Sequence, residues 1–157
     1  ALSAPLFQMS DDHCVIAGAN CTSAAAERDL ILPGMVSSSV AGYLYVEGTT
    51  GKLVAAWSGS GGLSLKTASS IVGSDFVASA RAVGNTRIGR LNGVQFGTDT
   101  RTITAATFTI AYLGSYNAGT FPWAGSIYPI IAIKGTVSDS DLLTLERFVG
   151  QLSGVSI

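Results

Sequence analysis

The stretch GYLYVEGTTGKLVAAW (residues 42–57) predicts a β-hairpin, because inward and outward side chains alternate on both sides of a four-residue turn. The turn is GTTG (48–51), and the simplest antiparallel register places Glu47 opposite Lys52. Side chains two residues apart share a face of a strand, so one face is predicted to enter a core and the other to cover the sheet. The predicted core face carries Leu44, Val46, Leu53, Ala55 and Trp57, and the other face carries Tyr43, Tyr45, Glu47 and Lys52.

Strand and turn signals continue after this hairpin. Asn92-Gly93 predicts a second hairpin, because a type I′ turn needs positive φ at both central residues. The apolar run IYPIIAI (127–133) predicts a strand. Pro129 within it predicts a sheet edge or a bulge, since proline cannot donate a hydrogen bond to a neighbouring strand. Residues 103–113 also have a strand-like pattern, with Phe108, Ile110 and Tyr112 expected on one face. Together these segments predict an all-β, antiparallel two-sheet sandwich.

The hydrophobic period changes near the C-terminus from that of a strand to that of a helix. Ser138, followed three residues later by Asp141, is typical of a helix N-cap. We expect one short C-terminal helix of about 11 residues, starting near Ser138. Its apolar face is predicted to carry Leu142, Leu145, Val149 and Leu152.

Composition limits the class of protein. The chain has 157 residues, of which 47% are hydrophobic and 12% charged, and its net charge is −1. We expect a single domain over 1–157, the C-terminal part of a longer chain. The apolar content excludes a disordered tail, and nine thinly spread Lys and Arg exclude a basic nucleic-acid binder. No apolar run approaches the length of about 18 residues that membrane insertion needs.

Residues with catalytic chemistry are few and scattered. Glycan cleavage needs two carboxylates flanking the scissile bond, whereas the three glutamates stand in unrelated segments and Asp139 and Asp141 are expected to cap the helix. Asp11-Asp12-His13 is expected to be the end of a turn rather than a metal or acid–base site. Cys14 and Cys21 are expected to be buried thiols, although a bridge between them stays open. We therefore expect a non-catalytic chain without a cofactor.

Four motifs occur in an informative order. They are the Asn92-Gly93 hairpin, the strand residues Thr109-Ile110, the turn WAGSI (123–127) and the closing segment 138–148. Over roughly 75–155 this order resembles the concanavalin A-like, laminin-G-like jelly-roll domains. The composition, rich in Ser, Thr, Gly and Ala, is similar to that of such domains in bacteriophage tail-fibre and receptor-binding proteins. The resemblance implies an adhesive jelly roll that binds sugars or proteins. Some relatives bind calcium, for which Asp75 and Asp99 would have to meet in space.

Five residues are candidate ligand contacts. A flat aromatic ring stacks on the apolar face of a sugar, and a planar amide hydrogen-bonds its hydroxyls. The alternative for the hairpin tyrosines is that they cover the sheet or a subunit contact, and for the tryptophan that it plugs the end of the sandwich. The candidates are Tyr43, Tyr45, Tyr116, Asn117 and Trp123.

The resemblance leads to competing functions. The first is a carbohydrate-binding or host-receptor-binding module of a phage tail fibre or spike, in the virion or outside the cell. Its partners would be a cell-surface glycan or another surface receptor, and two further copies of the chain in a homotrimer. The second is a structural trimerisation or assembly domain of a tail fibre without its own ligand. A glycan-cleaving enzyme is the least favoured, because paired carboxylates are missing from the sequence pattern.

Overall fold

A computed structural model describes residues 3–8, 10–36, 39–58, 63–102, 107–116 and 119–157, apart from the side chains of 35–36, 39–42 and 58. The described residues form ten strands and one helix. The strands are β1 (His13–Asn20), β2 (Arg28–Val36), β3 (Ser39–Val46), β4 (Lys52–Ser58), β5 (Leu63–Ser70), β6 (Asp75–Val83), β7 (Thr86–Leu91), β8 (Val94–Thr100), β9 (Ile110–Leu113) and β10 (Ile127–Lys134), and the helix is α1 (Asp139–Ser153).

The strands form two antiparallel sheets of five strands each within the described ranges. The first sheet has the order β10-β1-β6-β7-β8, and the second has the order β5-β4-β3-β2-β9. A shared core lies between them, with Val15 and Phe76 from the first sheet and Leu44 and Trp57 from the second. Helix α1 contacts β1, β6 and β10 on the other side of the first sheet. The layers are therefore helix, first sheet and second sheet, and the predicted all-β sandwich with a C-terminal helix is confirmed.

The β3–β4 hairpin has the predicted register. Leu44 pairs with Ala55 and Tyr45 with Val54, and the backbone N–H of Glu47 donates to the carbonyl of Lys52 over 2.9 Å. The predicted core face is confirmed as well, because all five of its side chains are fully buried between the sheets. These are Leu44, Val46, Leu53, Ala55 and Trp57.

The second hairpin and the proline-containing strand are also confirmed. Asn92 and Gly93 have φ values of 48° and 78°, and they join β7 to β8. Strand β10 lies at the edge of the first sheet. Its pairing with β1 shifts opposite Gly18, so Pro129 lies within a bulge at an edge, where it removes no ladder hydrogen bond.

Helix α1 begins as predicted but extends further. The Ser138 side chain accepts a hydrogen bond from the backbone N–H of Asp141, and the helix continues for 15 residues to a C-cap at Gly154. Leu142 and Val149 are fully buried, whereas Leu152 is 56% exposed. The prediction that Leu152 lies on the buried face of the helix is therefore wrong. Among the described residues, no helix is both long and apolar enough to cross a membrane.

The segment before β9 differs from the strand predicted over 103–113. Residues 103–106 lie outside the described residues, and the strand covers only Ile110–Leu113. Phe108 precedes the strand and packs in the core between the sheets, whereas Ile110 and Tyr112 pack on the opposite side of the second sheet. The prediction that these three side chains share a face is therefore wrong for Phe108, since alternation holds only within a regular strand.

Candidate functional site

The side of the second sheet that faces away from the core carries a cluster of tyrosines, which we call the tyrosine face. It comprises Tyr43, Tyr45, Tyr112 and Tyr116. Strand alternation creates it, because residues that bury Leu44 inward must turn Tyr43 and Tyr45 outward. Smaller apolar residues fill the sheet surface beneath the rings: Leu32, Val54, Ala56 and Ile110.

The two hairpin tyrosines form a stacked pair. Their ring centroids are 4.5 Å apart with an interplanar angle of 21°. Tyr43 is only 6% exposed, and its hydroxyl donates to Oε1 of Glu27 over 3.1 Å. Tyr45 is half-buried, and burial together with the charges of Glu27 and Glu47 raises its pKa to about 12. Tyr43 therefore supports Tyr45 from one side, and Tyr45 presents a neutral phenol to a ligand.

Three carboxyl groups lie beside this pair. Asp29 pairs in register with Tyr45 across β2 and β3, so its side chain points to the same face. Asp29 is fully buried, and its carboxyl group hydrogen-bonds to that of Glu27. Burial, and then the nearby charge of Glu27, raises its pKa to about 8. Burial and the charge of Glu47 also raise the pKa of Glu27.

Glu47 is held at the edge of the cluster by groups that the sequence pattern did not identify. Its carboxylate forms an ion pair with Lys66 of β5 and accepts a hydrogen bond from the Thr50 hydroxyl over 2.7 Å. These contacts lower the pKa of Glu47. Lys66 is therefore already paired with an acid, and the charge of Lys52 across the hairpin turn also acts on Glu47.

Tyr116 and Trp123 belong to different parts of the fold. Tyr116 pairs with Thr120 in an isolated bridge and packs against the tyrosine face. The Trp123 indole N–H donates to the carbonyl oxygens of Asn20 (3.1 Å) and Ser126 (3.2 Å), and its ring meets Phe76 of the core edge-on. Trp123 thus packs at the end of the sandwich, as the alternative interpretation held. The candidate Asn117 lies outside the described residues.

The histidine of the acid–histidine cluster is buried, whereas Asp11 and Asp12 are partly exposed. Nδ1 of His13 lies 2.8 Å from the carbonyl of Asp11, and its Nε2 lies 3.2 Å from the indole nitrogen of Trp57. The ring also stacks on Phe7 at 4.2 Å. Donation from Nδ1 and acceptance at Nε2 satisfy a neutral ring, and burial lowers the pKa of His13 to about 4.

We expect His13 to make the protein less stable in acid. The unfolded chain binds a proton near pH 6.5 and the folded chain only near 4, so stability is complete above 6.5 and decreases as the pH falls through this window. The expected loss is about 3 kcal/mol. His13 is the one histidine of the chain, so NMR titration of its ring reports the pKa directly.

The control for this prediction is His13→Gln, whose amide both donates and accepts without titrating. Urea unfolding from pH 4 to 7 should show a smaller decrease in stability for the variant than for the wild type. An equal decrease in both proteins, or a ring pKa near 6.5, would contradict the prediction.

The remaining candidates for metal or thiol chemistry do not form sites. Asp75 is the first residue of β6. Asp99 of β8 pairs with Arg87 of β7, and Arg87 lies beside the opposite end of β6, so the two aspartates are far apart. The described residues contain no group of three His, Cys, Asp or Glu side chains arranged to hold a metal ion. Cys14 and Cys21 are free, buried thiols, as expected.

Comparison with known proteins identifies the fold. No family model matches the sequence, and no curated protein matches it. The carbohydrate-binding module CBM40 of Ruminococcus gnavus IT-sialidase, solved with α2,3-sialyllactose, aligns with a TM-score of 0.69 and 16% identity over 87% of this chain and 83% of that one. Trypanosoma rangeli sialidase aligns at 0.68 and 13% identity, over 90% of this chain and 23% of that one.

A third solved structure extends the comparison beyond sialidases. The heptameric SAP-like pentraxin of Limulus polyphemus aligns with a TM-score of 0.66 and 12% identity, over 92% of this chain and 80% of that one. Identities this low are informative about fold and not about ligand. Together with the two antiparallel five-stranded sheets, they show that this chain has the concanavalin A-like jelly-roll fold.

Proposed function

We propose that this chain is a non-catalytic glycan-binding module whose site is the tyrosine face. The observation that carries the proposal is Tyr45, a half-buried ring backed by Tyr43 and flanked by carboxyl groups. A ring held in this way loses little conformational freedom when a sugar stacks on it. The likeness in fold to CBM40 of Ruminococcus gnavus, which was solved with sialyllactose, supports a glycan as the ligand class.

The chemistry of the face suits a polyhydroxylated ligand. The exposed part of the Tyr45 ring can cover the apolar side of a pyranose. Its hydroxyl can donate or accept a hydrogen bond, and the half-buried Glu27 and Glu47 carboxylates accept from sugar hydroxyls. Such groups give a shallow site with weak affinity for a single sugar, so several copies on one particle would strengthen attachment through avidity.

The same carboxyl groups provide one argument for catalysis, which we weigh against binding. A raised pKa on Asp29 beside Glu27 is the kind of pairing that glycosidases use for a general acid and its partner. Asp29 is fully buried, however, and an acid must touch the glycosidic oxygen to protonate it. Binding without cleavage is therefore the function that we favour.

For the biological context we propose a phage tail fibre or spike, with the module in the virion or outside the cell as a homotrimer. The proposal rests on the sequence resemblance and on the low charge of the chain. The competing proposal is a trimerisation or assembly domain without a ligand. Light scattering of the chain should give about three times the monomer mass. A trimer that buries the tyrosine face would favour assembly, whereas a trimer that leaves it open would favour binding.

A glycan array probed with the purified chain tests the proposed function. We expect Tyr45→Ala to weaken binding to the best glycan by about 0.5–1.5 kcal/mol per site, because the stacking surface is lost. Isothermal titration with that glycan measures the change.

Tyr128→Ala is the matched control, since Tyr128 lies on the edge strand of the first sheet and bonds to Asp75 there. The site assignment is wrong if Tyr45→Ala binds like the wild type, or if both variants lose the same affinity. An array without any bound glycan would contradict the function itself.

A further inference from the structure

The loop between β9 and β10 carries an exposed aromatic ring at the border of the tyrosine face. On the basis of the proposed function, we infer that Phe121 is a second sugar-stacking residue, so that the site prefers an oligosaccharide of two or more pyranose rings to a monosaccharide. The juxtaposition behind this inference is Phe121 beside Tyr116, across the sheet from Tyr45.

Backbone hydrogen bonding places Phe121 in the row of the sheet that contains Tyr45. Tyr45 of β3 pairs with Asp29 of β2, and the backbone N–H of Asp29 donates to the carbonyl oxygen of Phe121 over 3.1 Å. Phe121 thus takes the place of a neighbouring strand in this row. Adjacent strands lie about 4.8 Å apart, so the Cα atoms of Tyr45 and Phe121 are about 10 Å apart. A single pyranose ring does not span this separation, whereas two linked rings do.

The Phe121 ring lies on the same side of the second sheet as the tyrosines. Its centroid is 6.3 Å from that of Tyr116, with an interplanar angle of 53°, and Tyr116 packs against the tyrosine face. The side chain of Phe121 is 39% exposed and has no polar atom. The contact that it offers a sugar is therefore stacking on the apolar side of a pyranose.

The backbone holds this ring in a conformation that phenylalanine rarely adopts. Phe121 has a φ of 51°, in the left-handed region that a Cβ atom disfavours. Nine glycines of the described ranges have positive φ, and the two other non-glycine residues that do, Thr49 and Asn92, lie in hairpin turns. A glycine at position 121 would relieve the strain but would lose the ring. Strain that is kept at an exposed aromatic side chain is typical of a binding site.

The loop is fixed on the far side of Phe121 as well. The backbone N–H of Trp123 donates to the carbonyl of Gly114 over 2.8 Å, and Nη1 of Arg28 donates to the carbonyl of Pro122 over 3.1 Å. Because these bonds hold the backbone next to the ring, stacking a sugar on Phe121 costs little conformational freedom.

Sugars of increasing length test the inference. The probes are galactose and lactose, N-acetylglucosamine and N,N′-diacetylchitobiose, and the one-ring and two-ring fragments of the glycan that binds most strongly on the array. Isothermal titration measures the affinity of each. In every series that binds, we expect the two-ring sugar to bind about tenfold more tightly than the one-ring sugar, because it stacks on Phe121 as well as on Tyr45.

Variants connect this ratio to the two rings. Phe121→Ala should bring the ratio toward one by weakening the two-ring sugar alone, since a single sugar occupies Tyr45. Tyr45→Ala should weaken both sugars. Phe121→Gly, which accepts a positive φ without strain, serves if Phe121→Ala does not fold. The matched control is Phe148→Ala, because Phe148 is a 52% exposed phenylalanine on helix α1, behind the first sheet, and its loss should leave the ratio unchanged.

Three results would overturn the inference while leaving glycan binding at Tyr45 standing. The first is equal binding of one-ring and two-ring sugars by the wild type. The second is an equal loss of both sugars, or no loss, in Phe121→Ala and Phe121→Gly. The third is a change of mass in light scattering of these variants with an unchanged ratio, which would assign the ring to a contact between copies of the chain. If no probe binds and the array is also blank, the proposed function fails and the inference fails with it.

Discussion

Replacing Leu142 by alanine is expected to lower the free energy of unfolding by about 2–5 kcal/mol. Leu142 is fully buried in a cluster that helix α1 shares with Cys14, Ile16 and Val77 of the first sheet. Truncation leaves a cavity between two rigid elements, because neither a helix nor a central strand can collapse into it. Urea unfolding measured by circular dichroism gives the difference.

Leu152→Ala is the matched control on the same helix. Its side chain is 56% exposed, so the same chemical change should cost less than about 0.5 kcal/mol. If Leu142→Ala costs as little as Leu152→Ala, the helix is a loosely attached tail and not a layer of the fold.

Close packing between the helix and β1 supports the larger cost. A Cβ atom on Gly18 would lie 2.0 Å from the Ser153 hydroxyl oxygen and 3.1 Å from a methyl carbon of Val149, so any larger residue there would force the Ser153 side chain to move. Beneath the helix, Glu146 accepts a hydrogen bond from Ser79 over 2.6 Å, and its other oxygen lies 3.1 Å from Arg90. The helix is therefore fixed by apolar packing and by a buried polar network together.

The sequence predicted the elements whose signals are local. Alternation gave the register of β3 and β4, and the need for positive φ located the turn at Asn92-Gly93. The N-cap signal predicted where the helix starts, but the sequence pattern did not predict its length or its buried face. The helix continues to a left-handed C-cap at Gly154, and the first sheet covers Glu146 rather than Leu152. Which helical stripe is buried depends on the partner surface, and an ion pair with Arg90 allows a glutamate there.

The sequence indicated only some residues of the candidate site, for a similar reason. Tyr43 and Tyr45 share a face by simple alternation, so the sequence could indicate them. Glu27 and Asp29 approach them through the pairing of β2 with β3, which includes a register shift between Asp29 and Ile31. A shift of this kind changes which face a residue occupies, and it leaves no signature in the local pattern. Glu27 and Asp29 were missed on that account, whereas the alternation of the hairpin indicated Glu47.

Replacing Asp29 by asparagine is expected to raise the free energy of unfolding by about 3–5 kcal/mol above pH 8. Burial and the charge of Glu27 raise the pKa of Asp29 from 3.8 to about 8, so the folded chain keeps a proton that the unfolded chain releases. The stability that this carboxyl contributes is complete below pH 3.8 and is lost as the pH rises through 8. Asparagine does not titrate, so the advantage of the variant should grow across this window and be small near pH 4.

Asp12→Asn is the control, and it should behave in the opposite way. Hydrogen bonds from the Thr136 hydroxyl (2.6 Å) and the Gly84 backbone N–H (2.7 Å) stabilise the Asp12 carboxylate and lower its pKa. Its contribution is therefore present above pH 3.8 and lost in acid, so the asparagine variant should be less stable than the wild type at neutral pH. Urea unfolding at pH 4, 6 and 8 compares the three proteins. A stability difference for Asp29→Asn that does not change with pH would mean that Asp29 is ionised in the folded chain, and the acids at the tyrosine face would then already be charged without a ligand.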